Sequence, residues 1–583
     1  MDLRLLRRVL AEASPYRALL MGTTFMAILL APLATVRPWL VQKMVDDHIV
    51  AYDLNGLLRL ALIFVAVLLL HAWLTYLFTY FSGVLGQAVV NQLRVKIFQH
   101  INGFSLSYFD KTPIGTATTR TINDVETINT VFSQGVITIL ADFLTLFVVL
   151  GMMFHTSWEL TLIALTTSPL LVLASYLFKE AVKASFQRVR SEISRMNAFL
   201  QERITGVRVI QLFHTEAANR DRFRDINRDY TRANLDSVLY YALFYPAVEI
   251  ISAASLGLMV WWGARGVISE TVSMGALIAF PIYLNMLFNP IRILADKFNT
   301  LQMGLVAAER VFTLLDNSEE QEVSGAKQVE RLRGDVVFEG VHFAYRPEEW
   351  VLKGVDFHLE PGKTLAIVGA TGSGKTSIIS LISRFYTHQE GRIAVDGVDI
   401  GLYDLHALRR RMALVLQDVF LFSGSVLDNI SLRDPRISRE QVIRAAQIIG
   451  ADDFISRLPG GYDYPVMERG ATLSMGQRQL ISFVRALVFE PDILILDEAT
   501  SSIDPASEAI IQRAIETLIT QRTSIIIAHR LTTIMHADQI LLMERGEVLE
   551  TGSPEELLKK DSGAFRKLHD MQFIQPEWIV SLS

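Results

Sequence analysis

Gly369-Ala370-Thr371-Gly372-Ser373-Gly374-Lys375-Thr376 matches the phosphate-binding pattern GxxxxGK[ST] at every fixed position. Glycines at these spacings let the backbone wrap phosphate oxygens, Lys375 reaches the β- and γ-phosphates, and the Thr376 hydroxyl suits Mg²⁺. Residues 364–368 read as a buried strand and 377–382, from Ser377, as a helix, so the motif stands in the strand-loop-helix setting it requires. Amides at that helix start face phosphate, with the helix dipole favouring negative charge. This is an ATP cradle.

Further along, Ile493-Leu494-Ile495-Leu496 has the pattern of a buried parallel strand and runs into Asp497-Glu498. Adjacent carboxylates at such a strand end have separate tasks: Asp497 holds Mg²⁺ through water, and Glu498 polarises the attacking water as general base. Gln417, after the strand-like run 412–416, has an amide oxygen suited to Mg²⁺ or its waters, on a loop free to move. His529, after the strand-like run 523–528, suits contact with the γ-phosphate and orientation of the water. Leu473-Ser474-Met475-Gly476-Gln477 opens a helical run ending at Val488. Ser474 and Gly476 there make a second anion site, although Ser474 would equally cap any helix. Tyr345 follows the alternating run 336–343 in a turn with Arg346 and Pro347, where its ring either stacks on adenine or completes the core. The separation of 122 positions from Lys375 to Asp497 leaves room for an inserted helical subdomain.

These residues occupy the second half of a chain of 583 residues, long enough for roughly three to five domain-sized pieces. The first half differs. Apolar stretches of spanning length cover about 19–40, 57–81, 136–154, 160–178, 243–267 and 274–294, whereas short strands and charged helices alternate from Asp335 onward. The expected architecture is a six-span α-helical membrane bundle fused to a soluble α/β P-loop domain. Its boundaries are 1–316 for the membrane domain, 317–333 for a linker and 334–583 for the nucleotide-binding domain. A net charge of −6 gives no basic patch for nucleic acid, and the absence of cysteine excludes disulfides and thiolate chemistry. Arg4, Arg7, Arg8 and Arg17 precede an apolar run too long for a signal-peptide core, so the N-terminus reads as retained.

Basic residues set the orientation. The connection between spans four and five carries Lys179, Lys183, Arg188, Arg190, Arg195 and further arginines, while the first outer loop carries Asp46, Asp47 and Asp53. The positive-inside rule places both termini and the ATP-binding half in the cytoplasm, with the protein in the cytoplasmic membrane. The two inner connections, roughly 50 residues each, read as helices continuing far beyond the bilayer. Within the spans, Arg37, His71, Asp142, Glu249, Asn285 and Asn289 are expected at the bundle interior, a cavity or an interface, with Glu249 and Asp142 the first candidates to line a substrate path. Pro32, Pro38, Pro169, Pro246, Pro281 and Pro290 supply kinks.

Together these motifs make the chain resemble an ABC exporter half-transporter over about residues 15–570. In family order stand the A-loop Tyr345, Walker A 369–376, Q-loop Gln417, signature 473–477, Walker B 493–497, catalytic Glu498, D-loop 501–504 and switch His529. Phe109, Asp110, Gly115, Arg120 and Asp124 resemble the first intracellular loop, and Asn197, Glu202, Gly206, Ile210, Phe213 and Glu216 the second. The resemblance implies coupling helices in these loops. It also implies a dimer in which each ATP lies between Walker A of one chain and the signature of the other, and alternating access driven by ATP. Met475 departs from the family's LSGGQ and points to one subunit of a heterodimeric exporter, a homodimer being the other reading. The implied cargo is a hydrophobic or amphipathic small molecule; the alternative is a lipid or lipid-linked substrate flipped by the same architecture. An ATP-gated channel fits poorly with Glu498 present, and an importer fits poorly with the long inner loops.

Overall fold

The computed structural model describes residues 3–318, 323–497, 505–528 and 531–573. Its contacts define two compact units: residues 1–102 with 113–318, and residues 103–112 with 319–583.

The first unit is helical. An amphipathic α1 (Leu3–Glu12) precedes α2 (Arg17–Lys43) and α3 (Leu54–Asn102). The six-residue α4 (Leu106–Lys111) groups with the second unit, and the chain then returns through α5 (Ile114–Thr119), α6 (Val125–Thr130) and α7 (Val136–Thr156). After α8 (Trp158–Thr166), α9 (Ser168–Thr205), α10 (Val207–Leu212) and α11 (Glu216–Ile268) comes α12 (Met274–Asp316). Among the described residues five helical segments are long and apolar enough to cross a membrane, and Met274–Pro290 is a shorter apolar stretch within α12.

Burial along α3 explains how one helix serves two solvents. Its most apolar window buries nothing, whereas Ser82, Leu85, Gly86, Val89, Val90, Leu93 and Ile97 form a buried stripe nearer its C-terminus. Three- and four-residue spacing places them on one face of the helix, as packing in water requires. On α2 four buried residues in succession are small, Thr23, Ala27, Ala31 and Ala34, which lets neighbouring helices approach closely there.

One expected span is interrupted. Residues 160–178 are divided between α8 and α9, which meet at Thr167. Pro169, in the first turn of α9, has no N–H to donate and a ring that crowds the preceding turn, so the helix restarts there. Pro32, Pro38, Pro246, Pro281 and Pro290 by contrast remain inside their helices.

In the second unit β1 (Val336–Ala344), β2 (Trp350–Leu359), β4 (Glu390–Val395) and β5 (Val398–Asp399) form an antiparallel sheet ordered β2-β1-β4-β5. A six-stranded sheet is built from β3 (Thr364–Gly369), β6 (Met412–Val415), β9 (Ile493–Asp497), β10 (Thr523–Ile527), β11 (Gln539–Glu544) and β12 (Glu547–Gly552), in the order β12-β11-β3-β10-β9-β6. Short strands β7 (Gly424–Ser425) and β8 (Pro465–Val466) pair separately. Strands β3, β9 and β10 are buried along nearly their whole length, the signature of a parallel sheet covered on both faces. Helix α13 (Lys375–Ile382) follows β3; α14 (Leu405–Arg410), α15 (Val426–Ser431), α16 (Arg439–Ile449), α17 (Asp452–Arg457) and α18 (Met475–Val488) come from the chain between β5 and β9. Residues 323–333 are tied to this unit: the Gly325 and Lys327 N–H groups donate to the carbonyls of Tyr403 and Leu402 at 2.9 and 3.0 Å.

Candidate nucleotide site and coupling helices

Parallel pairing brings the site to one edge of the six-stranded sheet. Ile527 of β10 is level with Ile367 of β3 on one side and Asp497 of β9 on the other, and β6 lies beyond β9 with Val415 opposite Leu496. The loop after β3, Asp497 and Gln417 therefore all emerge at the carboxyl ends of parallel strands, where open α/β sheets bind ligands.

The loop has no space for ordinary side chains at its two bends. Gly369 has φ +156°, and a Cβ there would meet the Met543 carbonyl oxygen at 2.3 Å. Gly374, at φ +102°, is in the left-handed region and would drive a Cβ within 2.7 Å of Leu352. Between them Lys375 is folded back, its ammonium donating to the carbonyls of Gly369 at 2.8 Å and Ala370 at 2.9 Å. Burial pulls the Lys375 ammonium below the usual lysine range, and the charge of Asp497 opposes that shift. Ser373 is buried with its hydroxyl unpaired. An orphaned buried hydroxyl beside a desolvated cation in a glycine cradle fits a phosphate chain. Gly372 and Thr371 are on the exposed rim of the same loop, as is Thr376 just past Lys375.

Tyr345 borders the start of α13. Its hydroxyl shares a 3.1 Å hydrogen bond with that of Ser377, tying it to the helix that follows the loop, and a pocket of about 630 Å³ lined by Tyr345, Arg346, Glu349, Trp350 and Lys353 opens beside it. The tyrosine is 42% exposed, so its ring is available for stacking. Gln417 is exposed in the bend after β6.

Ser474, Gly476 and Gln477 stand apart, at the start of α18, where Ser474 and Gln477 form a capping box. The Ser474 hydroxyl accepts from the Gln477 N–H at 3.2 Å while the Gln477 side chain accepts from the Ser474 N–H at 2.9 Å. Met475 is the first residue of α18, is absent from the positive-φ positions, and is 41% exposed. Methionine costs nothing in backbone strain there. Glu498, His529 and the D-loop 501–504 lie outside the described residues.

Sequence reasoning missed Tyr386, which carries the contact between α4 and the nucleotide unit. Its hydroxyl donates to the Asp110 carboxylate of α4, and its ring lies 4.9 Å from that of Tyr345, edge to face. Tyr386 follows α13 in an irregular stretch with no periodicity to mark it. Arg485, missed likewise, is half-buried on α18; it donates from Nε to the Asn429 carbonyl at 2.8 Å and from its terminal nitrogens to the Phe420 carbonyl at 3.4 Å, bracing the loop that follows Gln417.

A phosphate cradle at a parallel-sheet edge, fused to helices of membrane-spanning length, defines a membrane ATPase. The chain belongs to the ABC transporter family. The family profile described as the ABC transporter transmembrane region matches residues 20–291, and the one described as ABC transporter matches residues 352–501. Its relatives include the uncharacterized ABC transporter ATP-binding protein YknV of Bacillus subtilis, 38% identical over 95% of this chain and 92% of that one. A probable multidrug resistance ABC transporter ATP-binding/permease protein, YheH, of the same organism is 35% identical over 92% of this chain and 80% of its own length. An ATP-dependent lipid A-core flippase of Desulfotalea psychrophila is 34% identical over 97% of this chain and 99% of its own. Among solved structures, a bacterial Atm1-family ABC exporter with ATP bound superposes with a TM-score of 0.77 at 27% identity, covering 96% of this chain and 98% of that one. The chain is thus an ATPase coupled to transport, of the exporter type, and exporters of this type work as dimers.

Proposed function

We propose that this chain is one half of a dimeric exporter that moves hydrophobic or amphipathic small molecules out across the cytoplasmic membrane. The observation that carries the reading is the cradle itself: Lys375 on two loop carbonyls with the buried Ser373 hydroxyl unpaired, in a chain that also has the spanning helices. The names of two relatives, a multidrug protein and a lipid A-core flippase, support amphipathic cargo, and the flippase name keeps lipid as the alternative.

In this reading the Gly369, Thr371, Gly372, Ser373 and Gly374 backbone and Lys375 hold the phosphates, Tyr345 stacks on adenine, and Ser377 fixes that ring by its 3.1 Å hydrogen bond. Thr376, Gln417 and Asp497, an all-oxygen set, would hold Mg²⁺, which when bound neutralises charge on the β- and γ-phosphates. Glu498 acts as general base and His529 orients the water. Ser474, Gly476 and Gln477 serve the ATP held by the partner; the capping box pre-sets the helix start for an anion.

The partner is a second half-transporter, and the exposed side chain of Met475 supports a different subunit over a second copy. Methionine bulk at a signature that must approach the partner's phosphates weakens one of the two sites, while this chain's own Walker motifs and Glu498 serve the other. The test is steady-state ATP hydrolysis by the chain alone in lipid nanodiscs beside the Glu498→Gln variant. Loss of the base is expected to lower turnover by about 10²- to 10⁴-fold with ATP binding intact. Undiminished hydrolysis in Glu498→Gln would remove Glu498 from its role. Base-dependent activity of the purified chain alone would replace the heterodimer by a homodimer.

A further inference from the structure

Lys297 of α12 donates to the Asp142 carboxylate of α7, an ion pair whose side chains are each about a fifth exposed, 23% and 22%. Asp142 lies six residues inside the third apolar stretch, about 9 Å along the helix from its inner end. Lys297 stands three residues past the inner end of the sixth. The pair therefore sits where the hydrocarbon of the inner leaflet gives way to headgroups. Charges at this depth are costly, and where they pair with one another they mark substrate or ion paths.

The two partners are unequal. Aspartate holds its carboxylate one carbon from α7, deeper in the apolar stretch. Lysine carries its ammonium on a flexible four-carbon stem rooted at the boundary, so it can follow an incoming charge outward. Headgroups at this level carry phosphate and carboxylate oxygens. An anion that replaces Asp142 on Lys297 exchanges one charged hydrogen bond for another, so the exchange avoids stripping a lone ammonium of its partner. It also opens the bridge between α7 and α12, which links recognition to helix movement.

We infer that Lys297, held in reserve by Asp142, binds the anionic head of an amphipathic substrate, a carboxylate or phosphate on a hydrocarbon tail, taken from the inner leaflet. This rests on the export reading above, and the experiment separates the two. The full-length protein in phosphatidylcholine nanodiscs is titrated with dodecanoate, dodecyl phosphate and dodecyltrimethylammonium without nucleotide, and ATP-dependent uptake of each is measured in inside-out vesicles.

The native protein is expected to bind both anions about tenfold more tightly than the cation. Lys297→Gln removes that preference. Asp142→Asn strengthens anion binding, because Lys297 loses its internal competitor; a bridge that only holds helices together would instead weaken all three probes alike in both variants, which overturns the inference. A single variant that leaves one charge unpaired can misfold, so the double variant Asp142→Asn with Lys297→Gln keeps a neutral hydrogen-bonding pair. Retained anion preference in that variant overturns the inference as well. Equal binding and export of all three probes by the native protein keeps the export reading and removes this one; ATP hydrolysis with export of none removes both. The ranking of dodecanoate against dodecyl phosphate identifies the head.

Discussion

Two six-residue helices, α4 and α10, sit at the ends of long helices and differ in what they touch. Helix α4 groups with the nucleotide unit: Tyr108 is 5% exposed, and Asp110 accepts from the Tyr386 hydroxyl. Helix α10 exposes Val207 and Val209, with Leu212 at 73% and Phe213 beside it at 68%. The first of these helices is packed within its own unit, and the second presents an apolar face that water penalises. The same contrast exists on the nucleotide unit, where Leu416, Phe420 and Phe422 after β6 are exposed at 49, 49 and 59%.

This comparison breaks most readily at α10. Leu212→Asp combined with Phe213→Asp is expected to cost interface energy of hot-spot size, about 2 kcal/mol or more, and to lower transport-linked ATP hydrolysis about thirtyfold. Hydrolysis and vesicle uptake unchanged in that variant would show that α10 docks on nothing.

The identity of the second half is read from Met475→Gly. If methionine bulk is what disables a homodimeric site, the chain alone gains about tenfold in ATP turnover. No gain would release Met475 from blame.

A smaller effect is expected at α4. Tyr386→Phe removes one exposed hydrogen bond to a carboxylate, worth about 1 kcal/mol. ATP binding is expected to persist while transport per ATP falls about fivefold. A double-mutant cycle with Asp110→Asn measures the coupling directly; additive losses would mean that the contact transmits nothing.

The smallest effect belongs to a contact in neither docking helix. Arg8 donates through both terminal nitrogens to Asp316 at 2.6 Å and lies over the Phe312 ring. Both ion-pair partners are about half exposed, so Arg8→Ala is expected to cost under about 1 kcal/mol in thermal unfolding and to leave turnover unchanged. A larger loss of turnover would give α1 a part in the transport cycle.

Much of this molecule is legible along the chain because its rules are local. Walker A is a run of eight residues whose glycines and lysine act on one ligand, and α13 and β3 follow from the apolar patterns on either side. The apolar spans announce themselves by length, since a bilayer satisfies no backbone hydrogen bond. Gln417 and Asp497 are legible as strand-end residues in a parallel sheet.

Tertiary structure decided what depends on residues far apart in sequence. Pro169 is visible in the sequence, but that it starts a new helix while Pro246 stays inside one is not. Tyr386 meets Asp110 across 276 positions, and Lys297 meets Asp142 across 155, distances over which no periodicity carries information. Ser474 reads as a phosphate ligand or a cap; the fold uses it as a cap. The chemistry is local and therefore written in the chain, whereas its transmission runs through contacts that exist only once the chain has folded.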